Sequence, residues 1–469
     1  MILQKSLLSV NNFRSKSLYL LILIVMCYFV IYFHITLPSE YFPVKTNIHG
    51  KSTILHTRDV NIVILQNVFI NPSKVIGAIG GEDLTKVVNQ PEAYELLKFQ
   101  YGFIQISSET NIAALMSLSQ SLRTNERNLP AILKSIQPVD PVQLKSYNSK
   151  YYKEKVVFIV TRVEYVNLYH TMTDWYNTFL TMKLLHLSSK DVHILLADGH
   201  PVGRFDQVWY ELFHNSISRI GVYRRRSRQK KTRMVRTNHS LIRTVPIGRY
   251  DYLHIAKLVL VPYGYASPLY VESNPTGEIF VDEFRNFILE SYQLTDEVSR
   301  CQRTPLNQSS HPHILLISRR NYIAHPRNMK GHVSRKISNE EKLLSELKQM
   351  GFRNSMLIDL VQLPMSEQIK LVMNTDILIG MHGAALTLSL FLPSTSCLVE
   401  LFPGFWFGSN KHLSKLAELR GIQYMAYHGL PENDVSSDSS YIPVDRFKLI
   451  VLKARRLWRM RMDRRTVNC

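Results

Sequence analysis

From residue 155 to its end the chain alternates short apolar runs with stretches of helical periodicity. Val156–Val160, Val192–Ala197 and Lys257–Val261 are rich in aliphatic and β-branched residues and end in polar or small-residue turns, the pattern of strands buried on both faces. Thr171–Leu185 carries apolar residues at helical spacing, and 278–292 reads as an amphipathic helix. The second half repeats the alternation, with strands predicted at His313–Ser318, Met356–Leu360, Asp376–Gly380, Cys397–Leu401 and Gln423–Tyr427. Helices are expected at Ser366–Asn374, at His412–Arg420 before Gly421, and between a Ser338/Glu341 capping box and Gly351. A polar stretch, Ser299–Pro312, separates the halves. This order predicts an α/β fold of two doubly wound domains facing a cleft, over residues 61–300 and 301–444. A basic amphipathic helix within 445–469 is expected to cross back onto the first domain. Between 50 and 150 only the Ile62–Leu65 strand stands out.

Leu18–Leu37 contain no formally charged residue and follow Lys5, Arg14 and Lys16. At about 1.5 Å per residue this run spans roughly 30 Å, the thickness of a bilayer core. It predicts a transmembrane signal anchor at 18–37, a cytoplasmic tail at 1–17, a stem at 38–60 and a luminal body. A cleaved signal peptide is the competing reading; the run is long for one, and no clear Ala-x-Ala-like site follows it.

That address changes the meaning of the net charge of +20. Basic clusters at 224–236 and 455–465 would suit nucleic acid elsewhere, but a luminal body argues against it. The 224–236 run lacks interleaved aromatics and apolar periodicity, so a solvated loop is expected. Asn238 and Asn307 lie in glycosylation sequons. Cys301, Cys397 and Cys469 allow one luminal disulfide with one thiol over, the pair undetermined, and Cys27 sits in the anchor. No cysteine spacing fits zinc.

The candidate chemistry concentrates between 380 and 403. The Asp376–Gly380 strand breaks into His382-Gly383-Ala384, and the Cys397–Leu401 strand into Phe402-Pro403-Gly404. Strand ends of this kind are where open α/β sheets bind ligands, and Gly383 and Ala384 would let backbone approach a phosphate. His382 would then contact the anion or turn inward as a core histidine. His382-Gly383-Ala384-Ala385-Leu386-Thr387, Phe391-Leu392-Pro393 and Glu400-Leu401-Phe402-Pro403 resemble the signature of glycosyltransferase family 61. Tyr169-His170-Thr171-Met172-Thr173-Asp174-Trp175-Tyr176, Asp198-Gly199-His200 and Asn321-Tyr322-Ile323-Ala324-His325-Pro326-Arg327 narrow the likeness to the N-glycan core β1,2-xylosyltransferases.

The resemblance implies a Golgi enzyme with a GT-B-like fold and an acceptor-side first domain. Its second domain would bind a nucleotide sugar, and the reaction would be inverting transfer of xylose from UDP-xylose to O2 of the β-linked core mannose of N-glycans. The partners would be the nucleotide sugar and an N-glycoprotein. No Asp-x-Asp tripeptide occurs, so arginines and helix N-termini are expected to neutralise the diphosphate, with no metal or other cofactor. Arg319 is the candidate and Arg320 its rival on the opposite face. Tyr322, His325 and Arg327 are expected at the donor, and Glu400 at its ribose or in an ion pair. His170 and Asp174, one helical turn apart, form a candidate base pair. Trp175 and Tyr176 would stack on the acceptor or fill the core. A family member using UDP-N-acetylglucosamine on protein O-glycans and a catalytically silent luminal lectin are the alternatives.

Overall fold

The computed structural model describes residues 44–49, 52–56, 60–121, 128–162, 164–228, 250–269, 279–294, 311–405 and 410–466. The expected anchor at 18–37, both sequons, most of the basic run and Cys27, Cys301 and Cys469 lie outside them. Among the described residues no helix is long and apolar enough to cross a membrane.

The first sheet has ten strands. Seven form its main path: β1 (Val44–His49), β2 (Ser52–His56), β3 (Asn61–Ile70), β4 (Val156–Val160), β5 (Val192–Leu196), β6 (Ile217–Arg219) and β7 (Tyr252–Leu260), in the order β1-β2-β3-β7-β4-β5-β6. β7, β4, β5 and β6 are parallel, whereas β3 runs antiparallel to β7 and β1–β2 is a hairpin added at the edge. The doubly wound expectation therefore holds only for the β4–β7 part. The links joining β1, β2 and β3 are too short for a helical crossover, so those strands pair antiparallel. Val44–His49 and Ser52–His56, expected within the stem, are strands.

The second sheet is wholly parallel. It contains β8 (Ile314–Ile317), β9 (Ser355–Ile358), β10 (Ile377–Met381), β11 (Cys397–Phe402) and β12 (Gln423–His428), ordered β9-β8-β10-β11-β12. β8, β10 and β11 are buried along their whole length, which explains their unbroken apolar sequences. The chain order reverses between β8 and β10, the switch point beyond whose carboxyl ends open α/β sheets bind ligands.

The helices that position the site are α1 (Leu168–Leu184), α2 (Glu340–Gln349), α3 (Met365–Met373), α4 (His412–Leu419) and α5 (Val444–Thr466). Asn167 caps α1 by accepting from Tyr169 N. The Ser338/Glu341 capping box does not form. Asn339 is the N-cap and exchanges two hydrogen bonds with the Ile442 backbone, while Ser338 Oγ donates to Ser440 O. Gly351, at φ 88°, ends α2 as expected. α5 does not cross to the first domain: Phe447, Val451 and Ala454 pack with Leu343, Ile379 and Val399 on the second sheet. The start of the basic run is also ordered, because Ile220–Arg228 is helical and buried Arg224 donates to Val75 O and Gly77 O.

The two halves share one core. Met172, Trp175, Tyr176 and Phe179 of α1 belong to the same buried cluster as Leu386, Leu388, Leu390 and Phe391, which follow β10. Cys397 is a buried free thiol, pushed up to about 12 by burial.

Candidate functional site

At the end of β8, strand alternation sends Arg319 and Arg320 to opposite faces. Arg320 is 56% exposed and pairs with Glu340. Arg319 turns into the crevice, where its Nε donates to Ser334 O at 3.0 Å and its guanidinium lies on Gly383; a Cβ there would overlap Nη1. Burial, and then the charge of Arg335, lower Arg319 to about 10, which leaves it cationic at neutral pH. Arg335 is itself partly buried and has left-handed backbone, φ 60°.

His382 follows β10. Its Nδ1 lies 2.5 Å from Glu400 Oε1, its ring stacks on Phe402 at 5.1 Å, and Tyr424 donates its hydroxyl to Glu400 Oε2 at 2.7 Å. Glu400 is 0% exposed, with both oxygens engaged by protein groups, so it does not reach a ribose. It holds the His382 ring in place instead. Burial and the Glu400 carboxylate push the Tyr424 phenol up, keeping it a donor. Gly383 is the N-cap of the 3₁₀ turn Ala384–Phe391.

The facing wall comes from the first domain. His170, in the first turn of α1, sets its ring edge-on to Tyr265 at 5.1 Å. Burial lowers its pKa, against the opposing pull of Glu164, so the imidazole is neutral. His170 Nδ1 is buried without a hydrogen bond, so the expected bond to Asp174 is not made. Asp174 lies one turn deeper, 2% exposed beneath Gly264, where a Cβ would overlap its Oδ1. Trp175 and Tyr176 are 1% and 0% exposed. They pack on Phe205, Trp209 and Phe284, so they belong to the shared core and offer no face to an acceptor.

The Tyr322–Arg327 loop bridges the walls. His325 Nε2 lies 3.3 Å from Glu164 Oε2, Asn89 N donates to Pro326 O at 2.9 Å, and Arg327 Nη1 donates to Glu95 Oε1 at 2.8 Å. His325 and Arg327 therefore strap the loop to the first domain. Burial would raise Glu164, but His325 and the N–H groups of Tyr165 and Val166 outweigh it and hold the carboxyl at about 2. Glu95 also pairs with His200 Nδ1 at 2.9 Å. Close by, Arg162 donates to both Asp198 oxygens at 2.7 and 2.8 Å and to Asp206 at 2.6 Å, and Arg219 reaches Asp206 at 2.6 Å. The Asp198-Gly199-His200 segment thus serves a buried ionic network. Tyr322 lies over the Arg204 guanidinium at 5.6 Å and borders a 680 Å³ groove, also lined by Val166, Phe205, Gln207 and Gln362.

The Arg319 guanidinium on Gly383, beside an oriented histidine, suits a diphosphate, and the neutral His170 suits proton acceptance. Residues 168–399 match the Glycosyltransferase 61 family model. The chain belongs to the glycosyltransferase 61 family. It is 22% identical over 403 residues to a β-1,2-xylosyltransferase of Arabidopsis thaliana, covering 77% of this chain and 72% of that protein. A β-1,2-xylosyltransferase of Oryza sativa is 22% identical over 369 residues, covering 76% and 66%. An EGF domain-specific O-linked N-acetylglucosamine transferase of Bos taurus is 25% identical over 279 residues, covering 58% of this chain and 45% of that protein.

In this glycosyltransferase 61 member the crevice brings together Arg319, His382, Gly383 and Ala384, with His170 on the opposing wall. Glu164, Arg335, Tyr424 and Glu95 were not legible in the sequence. Glu95 lies in the stretch without periodic pattern, and Arg335 sits in a loop whose backbone conformation no local signal announces. The signal for Arg162 and Asp198 was present: charges ending adjacent parallel strands β4 and β5 must pair.

Proposed function

We propose that this glycosyltransferase transfers xylose from UDP-xylose to O2 of the β-linked core mannose of N-glycans, with inversion and without a metal. In this reading it is a GT-B-like, single-pass type II Golgi membrane protein with a luminal catalytic body. The observation that carries the nucleotide-sugar part is the Arg319 guanidinium resting on Gly383 at the switch point, beside the His382–Glu400 pair. Xylose is supported by the His170–Tyr176 and Asn321–Arg327 segments and by the two xylosyltransferase relatives.

The acceptor hydroxyl attacks the anomeric carbon from the side opposite UDP. The bond to the diphosphate oxygen breaks, and the electron pair leaves with UDP, where Arg319 stabilises the charge. The hydroxyl proton passes to a base. His170 is our candidate, since burial keeps its imidazole neutral. With Trp175 and Tyr176 in the core, the groove beside Tyr322, Arg204 and Gln207 is the candidate acceptor path.

A second reading, N-acetylglucosamine transfer to a protein acceptor, draws on the EGF domain-specific relatives. Incubating the protein with a mannose-core N-glycopeptide, a panel of UDP-sugars and EDTA, then recording mass spectra, separates the readings. Pentose addition from UDP-xylose alone, undiminished by EDTA, is the expected outcome. N-acetylhexosamine addition favours the second reading, loss of activity in EDTA contradicts metal independence, and no addition from any donor contradicts both transfers.

A further inference from the structure

We propose that the groove beside Tyr322 holds sugar units of the acceptor that lie beyond the reacting mannose, and that Arg204 is the residue that reads them. The inference rests on the transfer reading above and deepens it, from the sugar that receives xylose to the oligosaccharide that carries it. Its placement follows from strand order. β8 lies between β9 and β10. Residues 361–366, which line the groove, follow β9, whereas Gly383 follows β10. The groove and the Gly383 crevice therefore flank the chain leaving β8, which carries Arg319 and, three residues on, Tyr322. On the facing wall Val166 borders the groove, four residues before His170. A glycan whose hydroxyl reaches His170 would continue into this 680 Å³ groove, within the range of about 300–1,000 Å³ usual for ligand pockets.

Arg204 differs from the other arginines at this domain boundary. Arg162, Arg219 and Arg327 each pair with buried carboxylates, and Asp206, two residues from Arg204, is taken by the first two. Among the described residues Arg204 has no carboxylate partner. Its Nη2 donates to Val361 O at 3.3 Å, and its guanidinium lies 5.2 Å from the Phe205 ring and 5.6 Å from the Tyr322 ring. These contacts hold the planar fork in place and leave most of its N–H groups to a ligand. The lining is not uniformly cationic. Gln207, whose Nε2 donates to Glu211 Oε1 at 2.6 Å, and Gln362 supply amides, and Glu211 adds a carboxylate. Burial, and then the charge of Glu211, push the Tyr292 phenol up, so it stays a donor. A phosphate would be repelled by Glu211, and an aliphatic ligand would strand these polar groups. A pyranose satisfies both: its hydroxyls accept from Arg204 and donate to Glu211, and its C–H faces pack on the apolar lining.

The test uses the full-length protein in detergent, UDP-xylose and three acceptors. These are the intact mannose-core N-glycopeptide, the same glycopeptide trimmed of its outer mannoses, and the mannose trisaccharide without chitobiose or peptide. Wild type should prefer the intact acceptor to at least one shorter one by about ten- to a hundredfold in kcat/KM. The shorter acceptor that suffers shows which side of the reacting mannose occupies the groove. Arg204→Ala should cut that preference to within about threefold, through a raised KM for the intact acceptor with kcat little changed. Calorimetry should show its affinity for UDP unaltered. If wild type transfers xylose to none of the three, the transfer reading itself fails and the inference with it. Equal kcat/KM on all three would show that the groove takes no further sugar. A preference that survives in Arg204→Ala would show that Arg204 does not read it. Should Arg204→Ala lose UDP binding, Arg204→Lys takes its place, keeping charge over Tyr322 without the fork; an unchanged preference there overturns the inference.

Discussion

At the end of β8 two neighbouring arginines have opposite fates, and the difference is measurable. Arg319 lies on Gly383, while Arg320 is mostly exposed and pairs with Glu340. Replacing Arg319 with Ala should cost about 2–4 kcal/mol of transition-state stabilisation, a loss of roughly 30- to 1000-fold in kcat/KM. Arg320→Ala should stay within about threefold in kcat/KM, since this guanidinium is committed to Glu340 on the opposite face from Gly383. Equal losses in steady-state assays would contradict the assignment. Trp175 separates core from acceptor roles in the same way: Trp175→Ala should lower stability by about 3–5 kcal/mol in denaturant titrations. A fully stable variant with a raised acceptor KM would restore the stacking role. Period-two alternation made the opposite facing of Arg319 and Arg320 legible, whereas the partners of Glu400 were not. Whether a strand-end carboxylate faces ligand or protein depends on Tyr424 of a strand more than twenty residues away, which no local pattern encodes.

Among the elements, the Tyr322–Arg327 loop has a pH signature of its own. The Glu164 carboxyl, at about 2 against an ordinary 4.5, contributes stability that is fully present above pH 4.5. That contribution is lost as pH falls through about 2. Wild type should therefore melt above Glu164→Gln at neutral pH, with the gap closing between pH 4.5 and 2; a gap independent of pH would show that His325 does not hold this carboxylate. From residue 155 onward most strands and helices were legible to within a few residues, because buried parallel strands write unbroken apolar runs. Lys257–Val261 proved to be the end of the longer Tyr252–Leu260 strand, and the Ile217–Arg219 strand and Ile220–Arg228 helix were not foreseen. The paired strands Val44–His49 and Ser52–His56 were not legible, since short strands beside an apparent stem carry no long period. The Ser338/Glu341 box failed for a tertiary reason: Asn339 and Ser338 are committed to the Ile442 and Ser440 backbone.

At the scale of the whole molecule, the sequence conveyed two α/β halves but not their union. The cluster joining Met172 and Trp175 to Leu388 and Phe391 seals the base of the cleft. The straps from Arg327 to Glu95 and from His325 to Glu164 hold its rim. Such contacts arise only when two distant segments meet, so periodicity within either half is silent about them. Their consequence is a crevice whose two walls are already opposed, with Arg319, Gly383 and His382 on one side and His170 on the other. That crevice is the proposed donor site. A crystal structure of the protein with UDP tests this most directly. The diphosphate is expected against Arg319 and the backbone of Gly383 at the β8/β10 carboxyl ends; UDP bound elsewhere, with this crevice empty, would contradict the account.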